Sequence, residues 1–388
     1  MRTLLLWLGL AVGLGFAQDA SPQATPTEPR LRLGTWNLEH FGRRTPRRTP
    51  EAIRMIAQRI KDLGIDVLAV QEVNGKEPLI ALTQALGADY QFVIGSTGGL
   101  GEGAQIGVGF VWNSARVELL HAEELFQLPS EVDGISIFHR VPVLAAFRSK
   151  QGGLDFRAIA VHLKASNKPR DIEKRVREVG ALKALLTRFL GGDVDQDMLI
   201  LGDFNHTYGA PANEVLGEQF TYLQPPTLAP TIVHFPEPID HFALAPGLME
   251  EVLPETHRVH GEDAAADKEA WRLTYSDHIP VTVDFKDVDN DPGVRIPTPS
   301  KRYLLGPGGF QAMAGQERPG APQQAAPRQP KTLGPGSQVM VVMSVDGTQV
   351  RFLGELVAEL GDEWIQLRDE QGKLTALPVA RVIWIQER

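Results

Sequence analysis

The sequence predicts a mixed-sheet α/β domain over residues 30–286, and three observations carry that expectation. Strand-length apolar runs such as "DVLAVQEV" and "MLILGDFN" recur between segments of helical periodicity. Hairpin-like pairs such as "VPVLAAF" and "FRAIAVHL" are mixed with strand–helix–strand units, which neither a purely parallel nor a purely antiparallel sheet produces. From about residue 287 the composition shifts to Pro, Gly, Gln and Ala, which ends the core.

The elements follow in chain order. Arg2, the apolar stretch Leu4 to Phe16 and the small-x-small pattern Gly15-Phe16-Ala17 predict a signal peptide over residues 1–17, cleaved after Ala17. Export to the periplasm or the exterior is the expectation, with an uncleaved anchor as the alternative. The stretch is short for a bilayer, no cysteine follows it to carry a lipid, and no membrane insertion is expected after cleavage. A Pro/Thr-rich spacer fills residues 18–29. "LRLGTWNLEHF" alternates like a strand entering a loop. In "TPEAIRMIAQRIKDLG", Thr49 caps a helix, Pro50 fits its first turn, Ile53, Ile56, Ile60 and Leu63 form the apolar stripe, and Gly64 ends it. "DVLAVQEV", "GVGFVW", "VPVLAAF" and "FRAIAVHL" read as strands. Residues 170–190 form a long amphipathic helix with Ile172, Val176, Val179, Leu185 and Leu186 inward, closed by Gly191-Gly192. "MLILGDFN", "DHFALA" and "IPVTVDF" complete the strands. Residues 287–337 read as a flexible linker. Residues 338–388, with four or five short strands and Asp-Gly and Gln-Gly turns, predict a small SH3-like or Sm-like β-barrel that binds a partner or polymer.

Bulk composition excludes several classes of function. The 388 residues are 43% hydrophobic and 22% charged, as in an ordinary globular protein with room for two domains. The formal net charge of -9 argues against a polybasic non-specific binder of nucleic acid, while a local basic groove stays open. There is no cysteine, so disulfide frameworks, thiolate catalysis and Cys-ligated metals are excluded.

Polar residues stand where the apolar runs end. These are Asn37 and Glu39 in "TWNLEH", Glu72 in "VQEV", His162 in "VHLK", Asp203 and Asn205 in "GDFN", Asp240 in "IDHF", and Asp277 and His278 in "YSDHIPV". Strand residues two apart share a face. If the strand reaches Asn205, Asp203 and Asn205 therefore project together while Phe204 turns into the core. Each strand then delivers its polar residue to one sheet edge, and the oxygen-rich set suits Mg²⁺ or Mn²⁺ better than zinc.

In this order, "TWNLEH", "VQEV", "HLK", "GDFN", "ID-x-F" and "SDH-x-P" resemble the motifs of the endonuclease/exonuclease/phosphatase superfamily, the deoxyribonuclease I-like metal-dependent phosphoesterases. The resemblance covers residues 31–286. It implies a four-layer sandwich of two packed mixed β-sheets flanked by helices, with the active site at one end. It also implies that Glu72 is the main Mg²⁺ ligand, with Asn37, Glu39 and Asp277 completing or adjusting metal binding; family members often carry Asp where Glu39 stands. Asp203 is implied to polarise the attacking water and Asn205 to position water or phosphate. His278, its ring held by Asp240, contacts the scissile phosphate or exchanges the proton. His162 corresponds to a second phosphate-facing residue, His in the deoxyribonuclease-like branch.

Six more residues are candidates for substrate binding. Arg43, Arg44, Arg47 and Arg48 in "RRTPRR" either grip a nucleic-acid backbone or form a solvated loop. Arg140 either approaches phosphate or lies at the surface, and Asn167 either contacts phosphate or caps a loop. "DVDNDPG" imitates a calcium loop, but Pro292 stands at the glycine position and Thr298 at the glutamate position, so it reads as acidic linker. His206 and His241 receive no role. The expected activity is an exported, monomeric nuclease that hydrolyses DNA, with RNA as the second choice of substrate, by metal- and Asp-activated water. A phospholipid or inositol-phosphate phosphoesterase and a non-catalytic surface-binding protein are the alternatives.

Overall fold

The structure, a computed structural model, describes residues 29–42, 48–98, 106–190, 194–217 and 219–296, together with strands between residues 338 and 387. The expected signal peptide, nearly all of the spacer, Arg43, Arg44, Arg47, Gly191-Gly192 and most of the linker lie outside the described residues.

The first half of the main domain holds β1 (Arg30–Phe41), α1 (Pro50–Asp62), β2 (Val67–Val73), α2 (Glu77–Leu86), β3 (Tyr90–Ile94), β4 (Gly107–Asn113) and β5 (Val117–Glu124). A small hairpin, β6 (Glu131–Val132) and β7 (Ile135–Ser136), precedes β8 (Val143–Ser149), β9 (Asp155–His162), α3 (Pro169–Phe189) and β10 (Met198–Asp203). Then come α4 (Pro211–Leu216), β11 (Thr221–Tyr222), β12 (Asp240–Leu244), a 3₁₀ turn (Gly247–Glu250), β13 (Arg258–Val259), α5 (Glu262–Ala266), α6 (Lys268–Thr274) and β14 (Val281–Lys286). As expected, Thr49 caps α1, its hydroxyl accepting from the Ala52 N–H.

Two six-stranded sheets result, ordered β13-β14-β1-β2-β4-β3 and β11-β12-β10-β9-β8-β5. Each has one parallel pair at its centre, β1–β2 and β9–β10, and antiparallel neighbours elsewhere. Parallel neighbours require a crossover, and α1 and α3 supply the two. The sheets face each other across a core that includes Leu33, Ala69, Phe110, Phe147, Phe156, Leu201, Phe242 and Val283. α1, α2 and α6 cover the outer face of the first sheet, and α3 and α4 that of the second. Burial on both faces explains why the strands read as continuous apolar runs. In "MLIL", Leu199 and Leu201 enter the core between the sheets, while Met198 and Ile200 pack under the helices.

The expected boundary at residue 286 falls too early. Asp287 is fully buried, its N–H bonding the Pro29 carbonyl and its carboxylate accepting from Ser149 Oγ at 2.7 Å, and Ile296 is also buried. The strands β15 (Gln338–Val345), β16 (Thr348–Leu360), β17 (Trp364–Arg368), β18 (Leu374–Pro378) and β19 (Val382–Glu387) form an antiparallel sheet ordered β18-β17-β16-β15-β19. Its closure into a barrel stays an expectation of the sequence. Among the described residues, no helix is long and apolar enough to cross a membrane.

Candidate active site

Register carries polar residues out of the core between the sheets. In β1 the inward row Leu31, Leu33, Thr35 continues to Asn37, and in β9 the row Phe156, Ala158, Ala160 continues to His162. Leu199 and Leu201 lead to Asp203, and Phe242 and Leu244 share their parity with Asp240. Asp203 is the register partner of both His162 and Asp240. Every one of these side chains therefore ends in the same gap at one end of the sandwich.

One oxygen is the focus. Asp203 Oδ2 accepts from Asn37 Nδ2 at 3.0 Å and lies 3.4 Å from His162 Nε2 and 3.7 Å from His278 Nε2. His278 Nδ1 meets Asp240 Oδ2 at 2.9 Å, and Thr231 Oγ1 accepts the Asp240 N–H at 3.1 Å. Glu72 joins from β2, with Oε1 at 3.4 Å from Asn37 Nδ2 and 3.9 Å from His162 Nε2. Asp277 Oδ1 is 4.0 Å from His278 Nε2. The expected set Asn37, Glu72, His162, Asp203, Asp240, Asp277 and His278 is thus one cluster. Within it, oxygens or nitrogens of Asp203, Asp240 and His278 lie within 4.8 Å of one another.

The burial of so many acids sets the protonation states. Burial, with the charges of Asp240 and Glu72, lifts the Asp203 carboxyl above its usual range. Burial alone would depress His278, but Asp240 by charge and hydrogen bond, then Asp203 and Asp277, raise it to about 10. His162 goes the other way: burial, then the Arg140 charge, holds it well below an ordinary histidine, so its ring is neutral. The site thus has one cationic and one neutral imidazole on either side of Asp203.

Three expectations need correction. First, β10 ends at Asp203, so Asn205 does not continue the strand. Asn205 adopts φ +52°, its N–H bonds Asp203 Oδ1 at 2.9 Å, and its side-chain amide donates to the Leu163 carbonyl. Second, Glu39 does not offer free oxygens to a metal. Oε1 accepts from Arg272 Nε and Nη2 at 2.8 and 2.6 Å, and Oε2 accepts from Arg48 at 3.1 Å and from the Asp277 N–H at 3.2 Å. Burial raises the Glu39 carboxyl, yet these arginine bonds outweigh it and leave it below its usual value. Third, Arg140 is neither at the surface nor free: it is buried, and its guanidinium donates to the carbonyls of His162 and Leu163, both at 2.9 Å. Asn167 is exposed beside the site and accepts from Arg175 Nη2 at 3.4 Å.

Sequence reasoning also missed the supports. The indoles of Trp36 and Trp271 both donate to the His278 carbonyl, at 3.1 and 3.2 Å. Ser276 Oγ donates to the Asn37 carbonyl at 2.6 Å and accepts from the His278 N–H at 3.0 Å. Ser276 and Trp36 lie inside motifs and are legible there; Arg48, singled out in "RRTPRR" as a backbone grip or a solvated residue, is instead buried and bonds Glu39 and the Tyr275 carbonyl; Thr231, Trp271 and Arg272 carry no local signal. His206 and His241 lie buried next to Asn205 among Phe204, Tyr208 and Tyr222, and burial drops them to about 3 and about 4. A cavity of about 410 Å³ opens alongside, lined by Ser166, Asn167, Arg175, Asn205 and His206 among others.

A sandwich of two mixed sheets between helical layers, with carboxylates, imidazoles and an amide gathered at one end, defines a hydrolase of the phosphoesterase kind. The chain belongs to the Endonuclease/Exonuclease/phosphatase family, whose model matches residues 34–278. A deoxyribonuclease of Thioalkalivibrio sp. is 27% identical over 186 residues, 45% of this chain and 46% of that protein. The chain thus spans about half the length of that relative. Among solved structures, the human Nocturnin catalytic domain with bound sulfate anion is similar at TM-score 0.49 and 15% identity, covering 67% of this chain and 95% of that one. The endonuclease/exonuclease/phosphatase from Bacteroides vulgatus is similar at TM-score 0.48 and 18% identity, covering 66% and 98%.

Proposed function

We propose that this chain is a divalent-metal-dependent phosphodiesterase, and more narrowly an exported nuclease that hydrolyses DNA. The observation that carries the reading is the convergence of Asn37, His162 and His278 on Asp203 Oδ2. Hydrolysis of a phosphodiester needs a base to take a proton from water, donors for the charge growing on the phosphoryl oxygens, and a proton for the leaving alkoxide. Four carboxylates with Asn37 are a hard-oxygen set that fits Mg²⁺ or Mn²⁺, with Glu72, Asn37 and Asp277 as the residues that would hold it. Such an ion would supply charge neutralisation at the phosphoryl group and acidify a bound water.

The chain's own residues supply the rest. Asp203, with a raised pKa and oriented by Asn37 and the Asn205 N–H, takes the proton from the attacking water. His278, kept cationic by Asp240, donates through Nε2 to a phosphoryl oxygen or to the departing alkoxide. Neutral His162 donates a hydrogen bond without moving its proton. Arg140 and the Trp36–Trp271 pair position the two imidazoles through their backbones.

A polymeric polyanion is supported by the segment after His162, which carries Lys164, Lys168, Arg170 and Lys174 and lines the cavity through Ser166, Asn167 and Arg175. The homologous deoxyribonuclease supports DNA over other phosphodiesters. The experiment is degradation of plasmid DNA by protein beginning at Gln18, with Mg²⁺ or with EDTA, beside His278→Ala. Cutting that needs the metal and His278 is the expected result. Intact plasmid with degraded RNA, or with hydrolysed sphingomyelin or inositol phosphates, would reassign the substrate. No hydrolysis of any of them would refute the catalytic reading.

A further inference from the structure

The opposite end of the sandwich carries a second concentration of acids that the phosphodiesterase reading does not use. Asp195 and Asp197 lie just before β10, whose six residues put them roughly 20 Å from Asp203. Asp289 and Asp291 follow β14, in the segment that packs on the domain, and Glu251 follows the 3₁₀ turn. Carboxylate oxygens of Asp195, Asp197 and Asp291 lie within 4.8 Å of one another.

Acid clusters are common on protein surfaces, but this one is not on the surface. Asp195 is fully buried, and Asp197 and Glu251 are each 1% exposed. Asp197 Oδ2, Asp195 Oδ2 and Asp291 Oδ1 are buried oxygens with no hydrogen-bond partner among the described residues. A buried carboxylate oxygen without a partner is among the costliest groups a fold can hold. The nearby cations meet only part of this charge. Arg148 bonds Asp155, Arg295 bonds Asp289, and Arg157 Nη1 bonds the Asp195 carbonyl while standing 3.9 Å from its carboxylate. Among the described residues, Asp197, Asp291 and Glu251 form no ion pair.

We propose that Asp195, Asp197 and Asp291, with Asp289 and Glu251 around them, hold a calcium ion that fastens the segment 287–296 to the base of the sandwich. The donors are oxygens alone, and they come from three separate loops. Calcium accepts six to eight oxygens in adaptable geometry, whereas magnesium demands a near-ideal octahedron and keeps its waters. "DVDNDPG" departs from a calcium loop at Pro292 and Thr298 because its partners are supplied by the loop before β10 and by the turn after the 3₁₀ helix.

The test is thermal unfolding of the full chain after EDTA treatment and dialysis, titrated with Ca²⁺ or with Mg²⁺, beside Asp197→Asn and Asp291→Asn. Both variants keep every active-site carboxylate, so their difference from the unaltered chain isolates this cluster. At calcium 100-fold above its dissociation constant, the unaltered chain is expected to gain on the order of 5–10 °C in Tm. Both variants are expected to lose that gain. Without calcium, Asp197→Asn should melt at or above the unaltered chain, because it removes one repelling charge. No gain with calcium, or an equal gain in both variants, overturns the site. An equal gain with Mg²⁺, lost in the variants, overturns calcium as its ion. Should Asp197→Asn fail to fold, Asp291→Asn at the half-buried edge gives the same reading, and calorimetric titration counts the calcium sites directly.

Discussion

Asp240→Asn removes one charge and leaves the shape of the site intact, which makes it the sharpest probe of His278. In the unaltered chain His278 Nδ1 bonds Asp240 Oδ2 at 2.9 Å, and the ring is raised from 6.5 to about 10 although burial opposes it. The amide introduced by the substitution would still accept the bond but bring no charge. A hydrogen bond to a charged group contributes about 1.5–3 kcal/mol, and one pKa unit corresponds to about 1.36 kcal/mol. His278 is therefore expected to fall by about 1–2 units, with Asp203 and Asp277 keeping it above 6.5. Titration of the imidazole nitrogens by NMR, in EDTA-treated protein, reads this directly. The sign of the stability effect follows from linkage. A cation whose folded pKa is raised stabilises the fold fully below the unfolded value near 6.5, and that contribution disappears as pH rises through about 10. At pH 6 the variant should thus lag the unaltered chain by about 1.5–3 kcal/mol in the His278 contribution, and near pH 10.5 that part of the gap should close. A gap of equal size at both pH values, or an unmoved NMR titration, would refute the assignment of Asp240 as the group that keeps His278 charged.

Other perturbations probe the supports. A Cβ on Gly202 would stand 2.1 Å from the Val161 carbonyl oxygen at φ +145°, so Gly202→Ala must push β10 off β9 and shift Asp203 away from His162. A lowered Tm with kcat reduced far more than KM is expected, and a fully active, equally stable variant would contradict the close approach. Ending the chain after residue 286 removes the buried Asp287 and Ile296, so that product should melt well below one ending after residue 296. Arg272→Gln strips two of the bonds to Glu39, but Arg272 is partly solvated. Its effect on stability is expected to stay within about 1 kcal/mol. Denaturant unfolding and metal titration should show weakened metal affinity if Glu39 orients the Asp277 loop, and unchanged affinity if it does not.

The site was legible in the sequence where the chain obeys a simple period and hidden where it breaks one. Asn37, His162, Asp203 and Asp240 each continue an alternating inward row of a strand, so apolar runs ending in polar residues located them. The cap at Thr49 and the stripe of α1 were readable for the same reason. Glu39 was misread because its partners, Arg48 and Arg272, are nine residues and 233 residues away, and no local pattern links them. α3 hid two charged residues on its covered face: Arg175 and Glu178 are buried and bind loop backbone at Lys164, Ser166 and Phe138. Such buried charges read as solvated residues in a helical pattern. The short strands β6, β7, β11 and β13 have two residues each, too few for any periodicity.

Glu72 shows why alternation alone does not build this site. Leu68 and Val70, of the same parity in β2, pack under the helices, so a regular strand would send Glu72 outward as well. The β1–β2 ladder instead slips between Asn37 and Phe41, which pair with Gln71 and Val73 across unequal stretches. Within the slip Glu39, His40 and Glu72 all take positive φ, 43°, 52° and 59°, conformations costing about 1–3 kcal/mol each for residues with a side chain. The bonds that offset this strain tie the same residues together: His40 N–H to Glu72 Oε2 at 3.0 Å, Glu39 N–H to Asn37 Oδ1 at 3.0 Å, and both arginines to Glu39. The slip turns Glu72 toward Asn37 and His162. Two otherwise regular sheets thereby converge their acids on one gap, and the strained stretch is the part of the fold that a substitution for stability would damage first.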